Sequence, residues 1–258
     1  MANAYQTLIL SESGLVSYWE LDEPSGTTST DSKGSHTATL GGTTPPTLAQ
    51  SGIPVGGTSY LFNGAGSSGG TDSYTKTASG FDLGGTGVTV ECWVYITTNP
   101  GRGQFVAGYS DSGHACYILL GSSRIMTWNL WDSVAGNNVM NGIGALALNS
   151  WHHLVGIGTA GGSMELYVDA VVQVVTPIML AGTIFQNASG HLEASFNIGG
   201  GTNITFDSQF KIDEVALYNV ALTPTQISAH YAAGLATAVA DLPGGIGQGS
   251  QVPAAYAF

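Results

Sequence analysis

Residues 210–231, FKIDEVALYNVALTPTQISAHY, constrain the fold of this chain more than any other stretch, because a long strand runs there straight into a helix. The helix has legible ends. Thr223 suits the N-cap, Pro224 the first helical position, and Gln226 can return a hydrogen bond to the cap. Leu222 and Ile227 have the spacing of a hydrophobic staple, and Gly234 is placed to stop the helix in a left-handed conformation. The strand is less regular. Phe210 and Ile212 share one face, whereas Val215 and Leu217 fall on the other, so the apolar phase changes at Asp213-Glu214. Such a change means either a β-bulge or a strand buried on both faces. On the second reading, Val215 and Leu217 lie under the helix face that carries Ile227 and Tyr231.

Upstream the pattern is β throughout. Residues 88–97, VTVECWVYIT, form a breaker-free run of β-branched and aromatic residues. Segments 104–109, 114–120 and 124–131 follow at the spacing of a meander. Then come 151–158, 164–169 and 170–176, the last two joined by a tight turn at Asp169-Ala170. About fourteen strands and one late helix predict an all-β fold, a two-sheet antiparallel jelly-roll sandwich with one short C-terminal helix. Residues 1–13 read as an N-terminal arm, 14–234 as the sandwich, and the Gly/Pro-rich 235–258 as a C-terminal arm.

Composition excludes several classes of function. At 258 residues and 43% hydrophobic, the chain can bury one large core. Only 9% of residues are charged, well below the usual quarter, so the surface is built from Ser, Thr, Asn, Gln and Gly, as in β-rich proteins that sit in assemblies. The net charge is −12, and the basic residues Lys33, Lys76, Arg102, Arg124 and Lys211 are scattered. Without a basic cluster there is no footprint for a phosphate backbone, which argues against nucleic acid. No apolar run approaches the ~18 residues that span a membrane. MANAYQTLIL lacks a positive n-region, predicting no secretory leader. Cys92 and Cys116 sit in strand-like segments and read as buried free thiols, with a bond between them left open.

Several segments taken together resemble the concanavalin A-like, laminin-G-like jelly-roll family. In family order they are GLVSYWELDE, DSKGSHTATL, YLFNG, VTVECWVY, WHHLV, MELYVDA, FNIGG and FKIDEVALYNVALTPTQISAHY, spanning roughly 14–234. The family usually ends the LYVD turn with Gly, and this chain has Ala170. The resemblance implies the fold without fixing a function, since the fold hosts lectins, adhesins, glycosidases and structural modules. Glycosidases of this fold carry E-x-D-x-x-E on one strand, and no segment here does. Asp213 and Glu214, being adjacent on a strand, are expected to point to opposite faces, as are His152 and His153. No G-x-S-x-G elbow or zinc-type spacing occurs, so no catalytic residues are assigned and the chain is read as a non-enzyme.

Two kinds of binding site remain. The resemblance implies calcium near the loop after the first strand and beside the IDE strand, where Asp22, Glu23, Asp31 and Asp213 are the hard-oxygen candidates. For glycans, Trp128 and Trp131 in MTWNLWD face opposite sides of one strand, one for the core and one beside Asn129, Asp132, Asn137 and Asn138. The sequence thus predicts a structural or decoration protein of a large assembly, such as a phage virion, whose arms contact neighbouring subunits, including copies of itself. The short N-terminal arm before GLVSYWELDE resembles that of phage proteins carrying this jelly roll. The alternative is a glycan-binding lectin or adhesin module, with calcium as its candidate cofactor.

Overall fold

The structure, a computed structural model, describes residues 2–64, 73–78, 80–81, 83–99, 101–110, 115–173, 178–184, 196–199 and 208–236. The C-terminal segment read as an arm lies, from residue 237 on, outside the described residues. In chain order, helix α1 (Ala4–Ser11) precedes β1 (Leu15–Trp19), β2 (Thr28–Ser29), β3 (Ala38–Gly41), β4 (Thr47–Ser51), β5 (Thr58–Asn63) and β6 (Tyr74–Thr77). The middle holds β7 (Gly87–Tyr95), β8 (Gln104–Ser110), β9 (Ala115–Leu120), β10 (Ile125–Asp132) and β11 (Gly136–Ala145). Last come β12 (Trp151–Thr159), β13 (Met164–Val168), β14 (Val171–Val172), β15 (Asn197–Ile198), β16 (Gln209–Tyr218) and α2 (Pro224–Leu235).

These strands make the expected two-sheet antiparallel sandwich. The first sheet runs β14-β13-β12-β7-β16-β5-β4, with β1 also paired to β16, and the second runs β11-β10-β9-β8-β15-β6-β3-β2. Between them Val88, Val90, Cys92 and Val94 of β7 meet Cys116, Ile118, Trp128 and Leu130 of the second sheet. Trp128 lies across Gly156, where an added Cβ would stand 2.4 Å from its ring, and its Nε1 donates to the Ile157 carbonyl at 3.0 Å. Cys92 and Cys116 are both free and buried.

The first sheet is buried on its outer face as well, because α1 and α2 pack there over a second core of Tyr18, Trp93, Val155, Ala216, Tyr218 and Ile227. This second layer decides how β16 is read. Both sequence alternatives hold at once: the strand is buried on both faces, and its register against β7 shifts between Asp213 and Ala216, with Glu214 at φ 53°. The bulge restores the phase. Ile212, Val215 and Leu217 face the inter-sheet core, and it is Ala216 and Tyr218 that face the helices.

Helix α2 starts as expected, with Thr223 and Gln226 forming the reciprocal cap and Leu222 buried with Ile227. Gly234 is not its left-handed stop. It lies inside the helix, where a Cβ would come within 2.3 Å of Trp93 Cζ2. Helix α1 is an addition to the single expected helix and occupies most of the segment read as an arm. Asn3 and Gln6 cap each other reciprocally at 2.9 Å, and Tyr5 and Ile9 are buried against the sheet. The turn at Asp169-Ala170 is left-handed at both residues, φ 52° and 60°, the geometry for which relatives use Gly. Among the described residues no helix is long and apolar enough to cross a membrane.

Candidate functional site

Helices cover the first sheet, so the second sheet presents the outer face most available to a ligand. On β10 the residues alternate: Met126, Trp128 and Leu130 enter the core, leaving Thr127, Asn129 and Trp131 on the outer side. Cross-strand register builds a patch around them. Trp131 stands opposite Asn137, Asn129 lies between Tyr117 and Val139, and Thr127 pairs with Asn141, donating to its Oδ1 at 3.0 Å. Trp131 and Tyr117 are half-buried, Asn137 and Asn141 are exposed, and Thr127 and Asn129 are buried. The patch thus combines ring faces with amide groups that can both donate and accept. Of the two tryptophans singled out in the sequence, Trp128 is a core residue and Trp131 is the outward one. Asp132 is not a ligand group, because it staples the hairpin: it accepts from Val134 N and Ala135 N at 2.8 Å and from Asn138 Nδ2 at 2.8 Å. Burial alone would raise its pKa, and these donors hold it below the usual value.

The sequence missed strand β11, which supplies half of this patch. GNNVMNGIGA is rich in residues depleted from strands, and only its place beside β10 makes it one.

The calcium candidates are divided among different duties. Asp31 organises its own loop, with Oδ1 accepting from Tyr18 N, Lys33 N and Gly34 N and Oδ2 from His36 N at 3.0 Å. Burial opposes its charge, but these N–H groups outweigh it and keep its pKa below the ordinary range. Glu23 accepts from Thr30 N and the Tyr60 hydroxyl, each at 2.6 Å. Asp22 accepts from Thr58 N and from Gln6 Nε2. With Glu20, Asp22 and Glu23 line a shallow cleft of about 300 Å³.

Asp213 and Glu214 do not point to opposite faces. Because the bulge places two residues between the inward-facing Ile212 and Val215, both carboxyls turn toward α1. Asp213 Oδ2 accepts from Ile53 N at 3.0 Å, and its buried Oδ1 has no partner. Glu214 receives the Tyr18 hydroxyl and Gln6 Nε2. Burial, Glu214 and Asp22 push Asp213 well above the ordinary carboxyl range. Glu214 is raised first by burial and then by Asp22 and Glu20. Among the described residues no three His, Cys, Asp or Glu side chains are grouped as a metal ion requires. Asp22, Asp31 and Asp213 as they stand therefore do not fit a calcium ion as a set.

A third polar cluster lies under the helices. Glu91 of β7 accepts from the hydroxyls of Tyr5 and Tyr218 at 3.0 and 2.9 Å, from His153 Nε2 at 2.7 Å, and from His230 Nδ1 at 3.0 and 3.1 Å. His230 Nε2 reaches Glu12 at 3.2 Å. Burial works against the Glu91 charge, but the histidines win and drive its pKa far down. Burial likewise opposes the His230 charge, yet Glu91 and Glu12 push its pKa up to about 9. His152 faces the other way and meets Asp169 at 2.7 Å, so the adjacent histidines share no site. With Glu91, both tyrosines and both histidines buried and only Glu12 reaching solvent, the cluster clamps helix to sheet.

Among curated protein sequences none matches this chain. Similar solved structures include Trypanosoma rangeli sialidase in complex with sialic acid, at TM-score 0.57 and 18% identity over 86% of this chain and 33% of that one. The binding domain of Botulinum neurotoxin DC in complex with rat synaptotagmin II matches at TM-score 0.62 and 9% identity, over 88% of this chain and 52% of that one. This chain thus spans a third to about half the length of these structures, and at such identity the likeness is one of fold. A sialidase and a toxin binding domain sharing the fold leave enzymatic activity unsettled by fold alone. A family profile described as the concanavalin A-like lectin/glucanases superfamily matches residues 68–228, more than half of the chain. The protein therefore belongs to the concanavalin A-like lectin/glucanase superfamily.

Proposed function

We propose that this protein is a non-enzymatic binding module that takes carbohydrate on the outer face of its second sheet. The observation that carries this reading is the half-buried Trp131, in cross-strand register with exposed Asn137 and two residues from Asn129 on the same face. An indole face stacks on the apolar face of a pyranose while amides bind its hydroxyls, and such a patch needs no cation. Binding of sialic acid by one structural neighbour, and the use of this fold as the synaptotagmin II-bound binding domain of another, are in keeping with it. A non-catalytic role fits the carboxyls described: Asp213, Glu214 and Glu91 are buried, and none sits in the patch. A glycan array probed with the intact chain tests the reading. Hits that disappear in Trp131→Ala, with unchanged melting, are expected; an array without hits sinks it.

A second reading is a structural or decoration component of a large assembly such as a phage virion, built with further subunits. It is favoured by a surface carrying only 9% charged residues together with exposed apolar side chains along one side. Co-purification with assembled particles would support it, and a chain that never enters particles when co-expressed with them would end it.

A further inference from the structure

We infer that two copies of this chain associate through the lateral seam between β11 of one sheet and β13–β14 of the other. Most of the exposed large apolar side chains among the described residues lie along that one side. Val134 and Met179 are 71% and 64% exposed at one end, Ile143 and Val171 60% and 59% at the other, with Val139 and Val172 also exposed. The seam is continuous. Segment 178–184 bridges from Ser163 beside β13 to Asp132 at the end of β10, and Ser133 N donates to the Thr183 carbonyl at 3.0 Å. At the other end Gln173 Oε1 accepts from Ile143 N at 3.3 Å, tying the end of β14 to β11.

Charge identifies the occupant. Of the described residues along this side, 133–151, 170–173 and 178–182 contain no Asp, Glu, Lys or Arg, and β13 with its turn adds only the half-buried Glu165 and Asp169, in a chain of net charge −12. Elsewhere a second copy meets more like charge than it does here. Apolar side chains at both ends make the seam self-complementary under a two-fold axis, each end facing the opposite end of its copy. A ten-residue strand is ~33 Å long, and the ~10 Å gap between sheets plus a strand's width on each side gives on the order of 600 Å² per copy. That area is at the low end for specific dimers. A basic partner finds little complement on this face and would be drawn to the acidic remainder.

Sedimentation of the full chain from micromolar to hundred-micromolar concentration tests this. A concentration-dependent monomer–dimer equilibrium is expected. Ile143→Asp with Val171→Asp, burying unpaired charge against the apolar Val134 and Met179 end of the copy, should weaken it at least about a hundredfold. Both positions are exposed, so melting at low concentration should be unchanged. Met179→Glu, at the far end, must weaken it in the same direction. A monomer across the whole range, or a dimer indifferent to both variants, overturns the inference. Trp131 and its amides are untouched by these variants, so glycan binding is scored separately.

Discussion

Glu91 and the Asp213-Glu214 pair are buried alike, in neighbouring strands of one sheet and beneath the same helices, but their electrostatic solutions are opposite. Glu91 stays ionised because two histidines and two tyrosine hydroxyls surround it. Asp213 has Glu214 and Asp22 for neighbours and Glu214 has Asp22 and Glu20, so burial and like charge together raise both pKa values instead. Burial raises carboxyl pKa values in both places, so depth does not distinguish them; the sign of the surrounding charge does. One region is a lock, and the other is a cost carried by the fold.

The largest expected effect comes from unlocking the first. Glu91→Gln leaves four donors facing an amide with a single acceptor oxygen, and should cost about 3–5 kcal/mol of unfolding free energy. Denaturant titration measures it, and a loss below about 1 kcal/mol would mean the cluster is not a charged lock. Next is pH. His230 has its pKa raised in the folded state, so its contribution is complete below the ordinary 6.5 and lost as pH rises through about 9. That loss is on the order of 3 kcal/mol. His230→Gln should be less stable at neutral pH and show a flatter alkaline limb. A wild-type curve level from pH 6 to 10 would show that His230 is neutral.

A matched pair of tyrosines sharpens the contrast. Tyr5 donates to Glu91, whose charge its neighbours favour, and Tyr18 to Glu214, whose charge burial disfavours, both from buried positions. Tyr5→Phe should cost about 2 kcal/mol and Tyr18→Phe about 1 kcal/mol, because hydrogen bonds to charged groups are worth roughly twice neutral ones. Equal losses would erase the distinction between the two regions.

The sequence made one side of this comparison partly visible and hid the other. The phase change at Asp213-Glu214 signalled a bulge, but side-chain alternation sent the two acids to opposite faces, and alternation is the rule a bulge suspends. Nothing local marked the lock. Glu91, His153 and His230 come from three elements far apart in the chain and meet only after α2 docks. Helix α1 was half-legible: Asn3 and Gln6 spell a capping box, but an eight-residue helix draws its stability from burying Tyr5 and Ile9 against a sheet assembled later. At the candidate glycan site, the alternation of MTWNLWD separated Trp128 from Trp131, whereas β11 had no strand signal to offer. The outward tryptophan could be inferred, and its amide partners across the strand could not.

The smallest effect has the opposite sign. Asp213→Asn keeps an oxygen for the Ile53 N–H and removes a carboxyl whose charge burial and Glu214 disfavour, so it should stabilise the fold by about 1 kcal/mol at neutral pH. A folded pKa raised above the unfolded one gives stability that is complete at low pH and lost as pH rises. The gain from removing the acid should therefore shrink toward pH 4 and grow toward pH 8. Glu91→Gln has no such gain at any pH, because its carboxylate is favoured by what surrounds it. Calcium gives the comparison its last test. If added calcium raised the melting temperature of the wild type and Asp213→Asn abolished that rise, the unpartnered Oδ1 would be a ligand atom, and a bound ion would offset what raises its pKa. If the substitution stabilises the fold equally with calcium and with chelator, the acid pair at the bulge is a residual cost of closing the sheet under α1.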